Sequence, residues 1–211
     1  MRVILFDLMD TLVIDPYHRI AREFLSDRSV QRHFFHWKNQ NAFEEFERGE
    51  ISEPEFFERY YRDDMPQSVR ELLPPPRKIR KRLFESVRFL PGLAEVVREL
   101  AERDDVRLGI ASNYSEWYAL VLKKRPEIEE RFDYLFFSCE MGARKPDEEY
   151  YRIIFNSLNR EHPGLTGGSI LFIDDREKNI APAREFGWRV HLITNAASLR
   201  TALDEFLAKS A

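Results

Sequence analysis

Five short apolar runs, residues 3–6, 106–111, 134–137, 170–173 and 190–193, constrain this chain more than any other feature. Each is too short for a helix, rich in β-branched or aromatic residues, and bounded by polar or turn residues. That is the pattern of a strand buried on both faces. Between the runs, from residue 90 onward, apolar residues recur at helical spacing. Leu93, Val96, Val97, Leu100 and Ala101 make one stripe, and Leu199, Ala202, Leu203, Phe206 and Leu207 make another. Strands that alternate with helices long enough for crossovers predict an α/β fold, a doubly wound, Rossmann-like parallel sheet with helices on both faces.

The first run stands apart, because a long segment separates it from the next strand. Residues 16–88 therefore read as an insertion, leaving 1–15 and 89–211 as the core. The insertion has a helical pattern: Ser52 with Glu55 forms a capping box, Phe56, Phe57, Tyr60 and Tyr61 fall on one helical face, and Phe43 with Phe46 suggests a preceding helix. A small helical cap is expected, its aromatics from Phe34 to Tyr61 serving helix packing or lining a pocket. Pro74, Pro75 and Pro76 cannot continue a helix, and they are expected to form the return linker ahead of Leu90, Pro91 and Gly92.

Charge and cysteine content narrow the function classes. With 33 Lys+Arg against 37 Asp+Glu the net charge is −4, which provides no global attraction to nucleic acid or to an anionic membrane. The one basic run, residues 77–82, reads as the solvated side of a helix whose Ile79, Leu83 and Val87 face a core. The longest apolar stretch, residues 117–122, falls far short of the about 20 residues that span a bilayer. The apolar start is stopped by Asp7, too early for a signal-peptide core. Cys139 is the single cysteine, so no intramolecular disulfide and no cysteine zinc site exists, and a cytoplasmic setting is expected. His33 and His36 lack a third ligand at convincing spacing.

In an open parallel sheet, ligands bind beyond the carboxyl ends of the strands. Asp7, Met9, Asp10 and Thr11 follow the first run, Ser112 and Asn113 the second, Arg144 and Lys145 precede a helix, and Asp174 and Asp175 follow the fourth run. Acids, a hydroxyl, an amide and a lysine are thus expected to converge on one crevice.

The segments FDLMDTLV, IASN, GARKPD and FIDDREKN, in this order and at these strand ends, resemble the four motifs of the haloacid dehalogenase-like hydrolase superfamily. The fourth, with Asp174, Asp175 and Asn179, looks like the DDxxxN branch that includes phosphatase domains. The resemblance implies a magnesium-dependent hydrolase acting on a small phosphorylated metabolite through an aspartyl-phosphate on Asp7. It implies Mg2+ held by Asp7, the Met9 backbone carbonyl and Asp175, with Asp174 and Asn179 behind them. Ser112 and Asn113 would bind the phosphoryl group, Thr11 would orient the nucleophile's loop on the substrate side, and Lys145 would offset the charge of nucleophile and phosphate.

One departure matters. Phosphatases of this family carry a second Asp two residues after the nucleophile as general acid and base, and here that place is Met9. A thioether moves no proton, and such help contributes typically about 10²- to 10⁴-fold. Asp10, where the phosphatase pattern usually has Gly, points to the opposite side of an extended segment unless the loop is bulged. Three readings stay open: a phosphomonoesterase, an impaired phosphate- and magnesium-binding or regulatory descendant, and a 2-haloacid dehalogenase. The last also lacks the second Asp and needs no metal, but relies on an arginine from the insertion, for which Arg19, Arg22 and Arg32 are available.

Overall fold

The computed structural model describes every residue except 16, 18–31, 33, 86 and 209–211, so Arg19, Arg22 and His33 lie outside the described residues. The five apolar runs form β1 (Arg2–Phe6), β2 (Val106–Ser112), β3 (Tyr134–Phe137), β4 (Ile170–Asp174) and β5 (Arg189–Leu192). All pair in parallel, in the order β3-β2-β1-β4-β5. β2 and β4 each run one residue further than their apolar runs, so Ser112 and Asp174 are the last residues of their strands rather than the first of the loops.

Strand alternation sends successive side chains to opposite faces. Ile4, Phe6, Leu108, Ile110 and Ile173 pack in one apolar cluster with the helices Leu93–Ala101, Tyr118–Lys124, Pro126–Arg131 and Ala196–Ala208. Val3, Leu5, Ile170 and Phe172 pack in the other with Glu148–Glu161 and Glu177–Glu185. Each such side chain, fully buried, contributes roughly 1.5–3 kcal/mol, so the sheet is held from both sides. From β1 the chain passes outward through β2 and β3, then returns to the opposite side of β1 for β4 and β5. The carboxyl ends of β1, β2 and β4 therefore open onto one crevice.

The described part of residues 16–88, between β1 and β2, contains helices Gln40–Glu47, Glu53–Glu58, Gln67–Arg70 and Pro76–Glu85. The segments that flank these helices meet through an isolated bridge: Val13 pairs with Phe89, the Ile14 N–H donates to the Arg88 carbonyl (2.9 Å), and the Leu90 N–H donates to that of Leu12 (2.8 Å). Two sequence expectations need correcting. The triple proline is not the return linker, because Pro76 opens a helix, where its missing N–H costs nothing, and the return runs through residues 87–90. Tyr60 and Tyr61 are buried but lie beyond the end of Glu53–Glu58, with Tyr61 bridging to Lys38 instead.

Buried residues of this segment, Phe46 and Phe56 among them, share an apolar cluster with one face of the sheet. Phe46 and Phe56 stack at 4.4 Å, and Trp117 stands edge-on to them at 5.4 and 5.6 Å, its Nε1 donating to Glu53. Arg144 reaches across to Glu47 at 2.7 and 3.1 Å. At Gly49 (φ 71°) the two backbones approach so closely that a Cβ would lie 2.6 Å from the Cys139 carbonyl oxygen, which leaves room only for glycine. Among the described residues no helix is long and apolar enough to cross a membrane.

Candidate active site

Asp7 is the first residue past β1, yet its N–H still donates to the Ile173 carbonyl of β4 (2.8 Å), so the sheet itself aims this carboxylate into the crevice. The chain then folds tightly: Leu12 and Val13 N–H groups both donate to the Leu8 carbonyl, and Asp10 N–H donates to that of Val13. Asp10 sits at φ 55°, the left-handed region that Asp enters more readily than most residues. Its Oδ1 accepts the Asp15 N–H at 2.9 Å. The segment is a turn rather than extended, and Asp10 is committed to holding it. Asp10 is not among the residues that wall the cavity, whereas Met9 is.

Lys145 enters from the loop before Glu148–Glu161, essentially inaccessible at 1% exposure. Its ammonium donates to Asp7 Oδ1 (2.8 Å), Asp174 Oδ2 (2.6 Å) and the Ala111 carbonyl (2.8 Å), using all three protons. Burial pulls its pKa down, but the two carboxylates outweigh burial and the net direction is upward. Asp7 is pushed up to about 6, chiefly by burial; the Lys145 charge opposes this, Asp174 adds to it, and the Ser112 hydroxyl helps to hold the carboxylate charged.

Asp174 is fully buried and fully engaged. Both its oxygens accept from Asn179 Nδ2 (3.0 Å each), and Oδ1 also accepts the Arg176 N–H (2.9 Å). Asp175 is half-buried; burial first and then the neighbouring Asp174 raise its pKa, while Arg176 opposes the shift. Asp7, Asp174 and Asp175 each offer an oxygen, and the three lie within 4.8 Å of one another. Hard carboxylate oxygens so close together suit a small divalent cation such as magnesium. With Asp174 already saturated by protein donors, Asp7 and Asp175 are the two left to ligate.

Two further residues of the expected site make structural contacts, and one of them, Asn113, also lines the cavity. The Asn113 amide is clamped at both ends by the Lys145 backbone, with Nδ2 donating to its carbonyl and Oδ1 accepting its N–H, each at 2.8 Å. The side chain positions Lys145. Thr11 is fully buried, its Oγ1 has no partner among the described residues, and it is not a cavity wall, so its place is within the turn behind the nucleophile. Ser112 is buried at the β2 end beside Asp7 and does line the cavity.

The cavity over these groups has a volume of about 320 Å³, the lower end of what binds an organic ligand. Asp7, Ser112 and Lys145 line it together with Phe43, Phe46, Phe56 and Lys38 from the segment between β1 and β2. The aromatics thus serve both packing and lining. Lys38 escapes sequence reasoning, because a lysine between Trp37 and Asn39 carries no motif. Arg32 and His36 are exposed.

Residues 1–187 match the family model for haloacid dehalogenase-like hydrolases. The chain belongs to that family, and it is a hydrolase of the HAD type. It is 29% identical over 203 residues to flavin mononucleotide hydrolase 1 of Arabidopsis thaliana, covering 96% of this chain and 76% of that protein. Among solved structures, a HAD-like hydrolase from Porphyromonas gingivalis superposes with a TM-score of 0.68 at 22% identity, covering 100% of this chain and 99% of the other. A magnesium-bound HAD hydrolase from Bacillus subtilis gives 0.67 at 20% identity, covering 96% and 98%. These two likenesses concern the fold.

Proposed function

We propose that this hydrolase is a magnesium-dependent phosphomonoesterase acting on a small phosphorylated organic molecule, with Asp7 as nucleophile. The observation that carries the reading is the buried Asp7–Lys145–Asp174 array, with Asp175 beside it, at the floor of a cavity large enough for an organic leaving group. A bound magnesium ion, held by Asp7, Asp175 and the Met9 carbonyl, would supply Lewis-acid neutralisation of phosphoryl charge.

The Asp7 carboxylate attacks phosphorus, the bond from phosphorus to the ester oxygen breaks, and an aspartyl-phosphate forms. Water then attacks the phosphorus and restores Asp7. Lys145 keeps the nucleophile charged despite its burial and offsets the incoming phosphate. Asn113 fixes the Lys145 backbone, and Asn179 fixes Asp174. With Met9 at the acid's usual place, the departing oxygen takes its proton from solvent or leaves as an anion. Substrates with good leaving groups are therefore favoured. The flavin mononucleotide hydrolase relative makes that ester the first substrate to try. Met9 also supports a second reading, a descendant that binds magnesium and phosphate with little turnover. Borohydride reduction of acid-quenched enzyme during turnover tests the intermediate: the phosphomonoesterase reading expects Asp7 converted to homoserine, and turnover with no trapped residue at position 7 contradicts it.

A further inference from the structure

We infer that Lys38 is the residue by which the insertion selects the leaving group, its ammonium pairing with an oxygen acceptor on a planar ring seated against the aromatic wall. The inference rests on the phosphomonoesterase reading only for where the phosphoryl end sits.

Lys38 lines the same cavity as Asp7 and Lys145 but belongs to the insertion. Its ammonium lies 3.4 Å from the centre of the Phe43 ring and 4.9 Å from that of Tyr17. Among the described residues it has neither a hydrogen bond nor an ion pair. Ring faces recover part of the lost hydration of a cation, but they provide no hydrogen-bond acceptor in the ring plane and leave its N–H donors unmet. The contrast is with the two other cavity cations that are not solvent-exposed, Lys145 and Arg144, since Arg176 and Lys178 of the same lining are exposed. Lys145 spends all three protons on protein acceptors, and Arg144 is bound to Glu47 by two nitrogens.

The charge environment points the same way. Burial lowers the Lys38 pKa to about 8, although Glu47 and Asp15 pull upward, so its compensation is incomplete. Its leading charged neighbours are Glu47, Asp15, Arg176 and Arg144, whereas the leading charged neighbours of Asp7 are Lys145 and Asp174. Among the described residues Lys38 shares no bonded partner with Asp7. The rings beside it are Tyr17 and Phe43, and Phe56 and Trp117 line the same cavity, an aromatic wall that favours a flat partner. A planar group with a carbonyl or anionic oxygen satisfies both features at once.

Riboflavin, which has such a ring and no phosphate, isolates this end of the cavity. Its affinity is read by quenching of flavin fluorescence for wild type, Lys38→Met and Lys38→Arg, beside calorimetry of inorganic phosphate with magnesium. Losing a hydrogen bond from a charged donor predicts riboflavin binding weaker by about 10- to 100-fold in Lys38→Met. Phosphate affinity is expected to stay within about twofold. Lys38→Arg, which keeps the charge and the donors, is expected to retain most of the riboflavin affinity. Absence of riboflavin binding in wild type, equal binding by wild type and Lys38→Met, or an equal loss for phosphate each overturns the assignment. Neither titration involves turnover. If neither flavin mononucleotide nor an aryl phosphate is hydrolysed while Lys38→Met still loses riboflavin selectively, the phosphomonoesterase reading falls and Lys38 stands.

Discussion

Replacing Lys145 by Met removes the one cation between two buried carboxylates while nearly preserving side-chain volume. Three hydrogen bonds vanish, those to Asp7 (2.8 Å), Asp174 (2.6 Å) and the Ala111 carbonyl (2.8 Å). The larger effect is the charge left behind: Asp7 and Asp174 then face each other with no counter-ion among the groups that now bond them. Breaking a buried pair in this way costs about 3–5 kcal/mol. For a chain of 211 residues that lowers Tm by roughly 6–20 °C. The loss carries a pH signature. Asp7 already stands at about 6 with Lys145 present, and without it the carboxylate shifts higher still. A carboxyl whose folded pKa lies above its unfolded value costs stability above the folded pKa, and that cost fades as pH falls through it. Thermal melts of metal-free wild type and Lys145→Met from pH 8 to pH 5 should therefore show a gap that is widest at pH 8 and narrows toward pH 5. A gap under about 1 kcal/mol at pH 8, or one that does not narrow, would refute the claim that Lys145 holds two ionised carboxylates together.

Further outcomes follow from the same geometry. Met9→Asp restores a proton carrier beside Asp7, and steady-state kinetics should show kcat for an alkyl phosphomonoester rising about 10²- to 10⁴-fold, with a smaller gain for an aryl phosphate whose leaving group departs unprotonated. Asp10→Gly loses the bond to the Asp15 N–H but relieves the left-handed backbone at φ 55°, so urea denaturation should register a change within about 1 kcal/mol. Its activity should persist, whereas abolition would make Asp10 the missing acid. Phe56→Ala opens a hole between Phe46, Phe43 and Trp117, and should cost about 3–5 kcal/mol in the same assay.

The strands were legible because a strand buried on both faces must be apolar at every position, as residues 3–6 and 170–173 are. Convergence of Asp7, Lys145 and Asp174 was legible for a related reason, since parallel topology brings strand ends together whatever the loops do. Roles that depend on distant partners were not. Asn113 reads as a phosphate donor, but its hold on the Lys145 backbone, 32 residues away, shows only in the structure. Asp10 reads as a possible acid until its φ and its bond to Asp15 are known. Pro76 reads as a linker residue because proline breaks helix interiors, yet the first position of a helix accepts it. Lys38 was invisible because what distinguishes it, ring contacts without a hydrogen bond or ion pair among the described residues, is a property of tertiary structure alone.

Phosphate release from flavin mononucleotide and from an aryl phosphate, by wild type and Asp7→Asn, with magnesium and with chelator, tests the central claim most directly. The account predicts release by wild type that requires magnesium, and none above background for Asp7→Asn. Release that survives chelation, or that persists in Asp7→Asn, would contradict it.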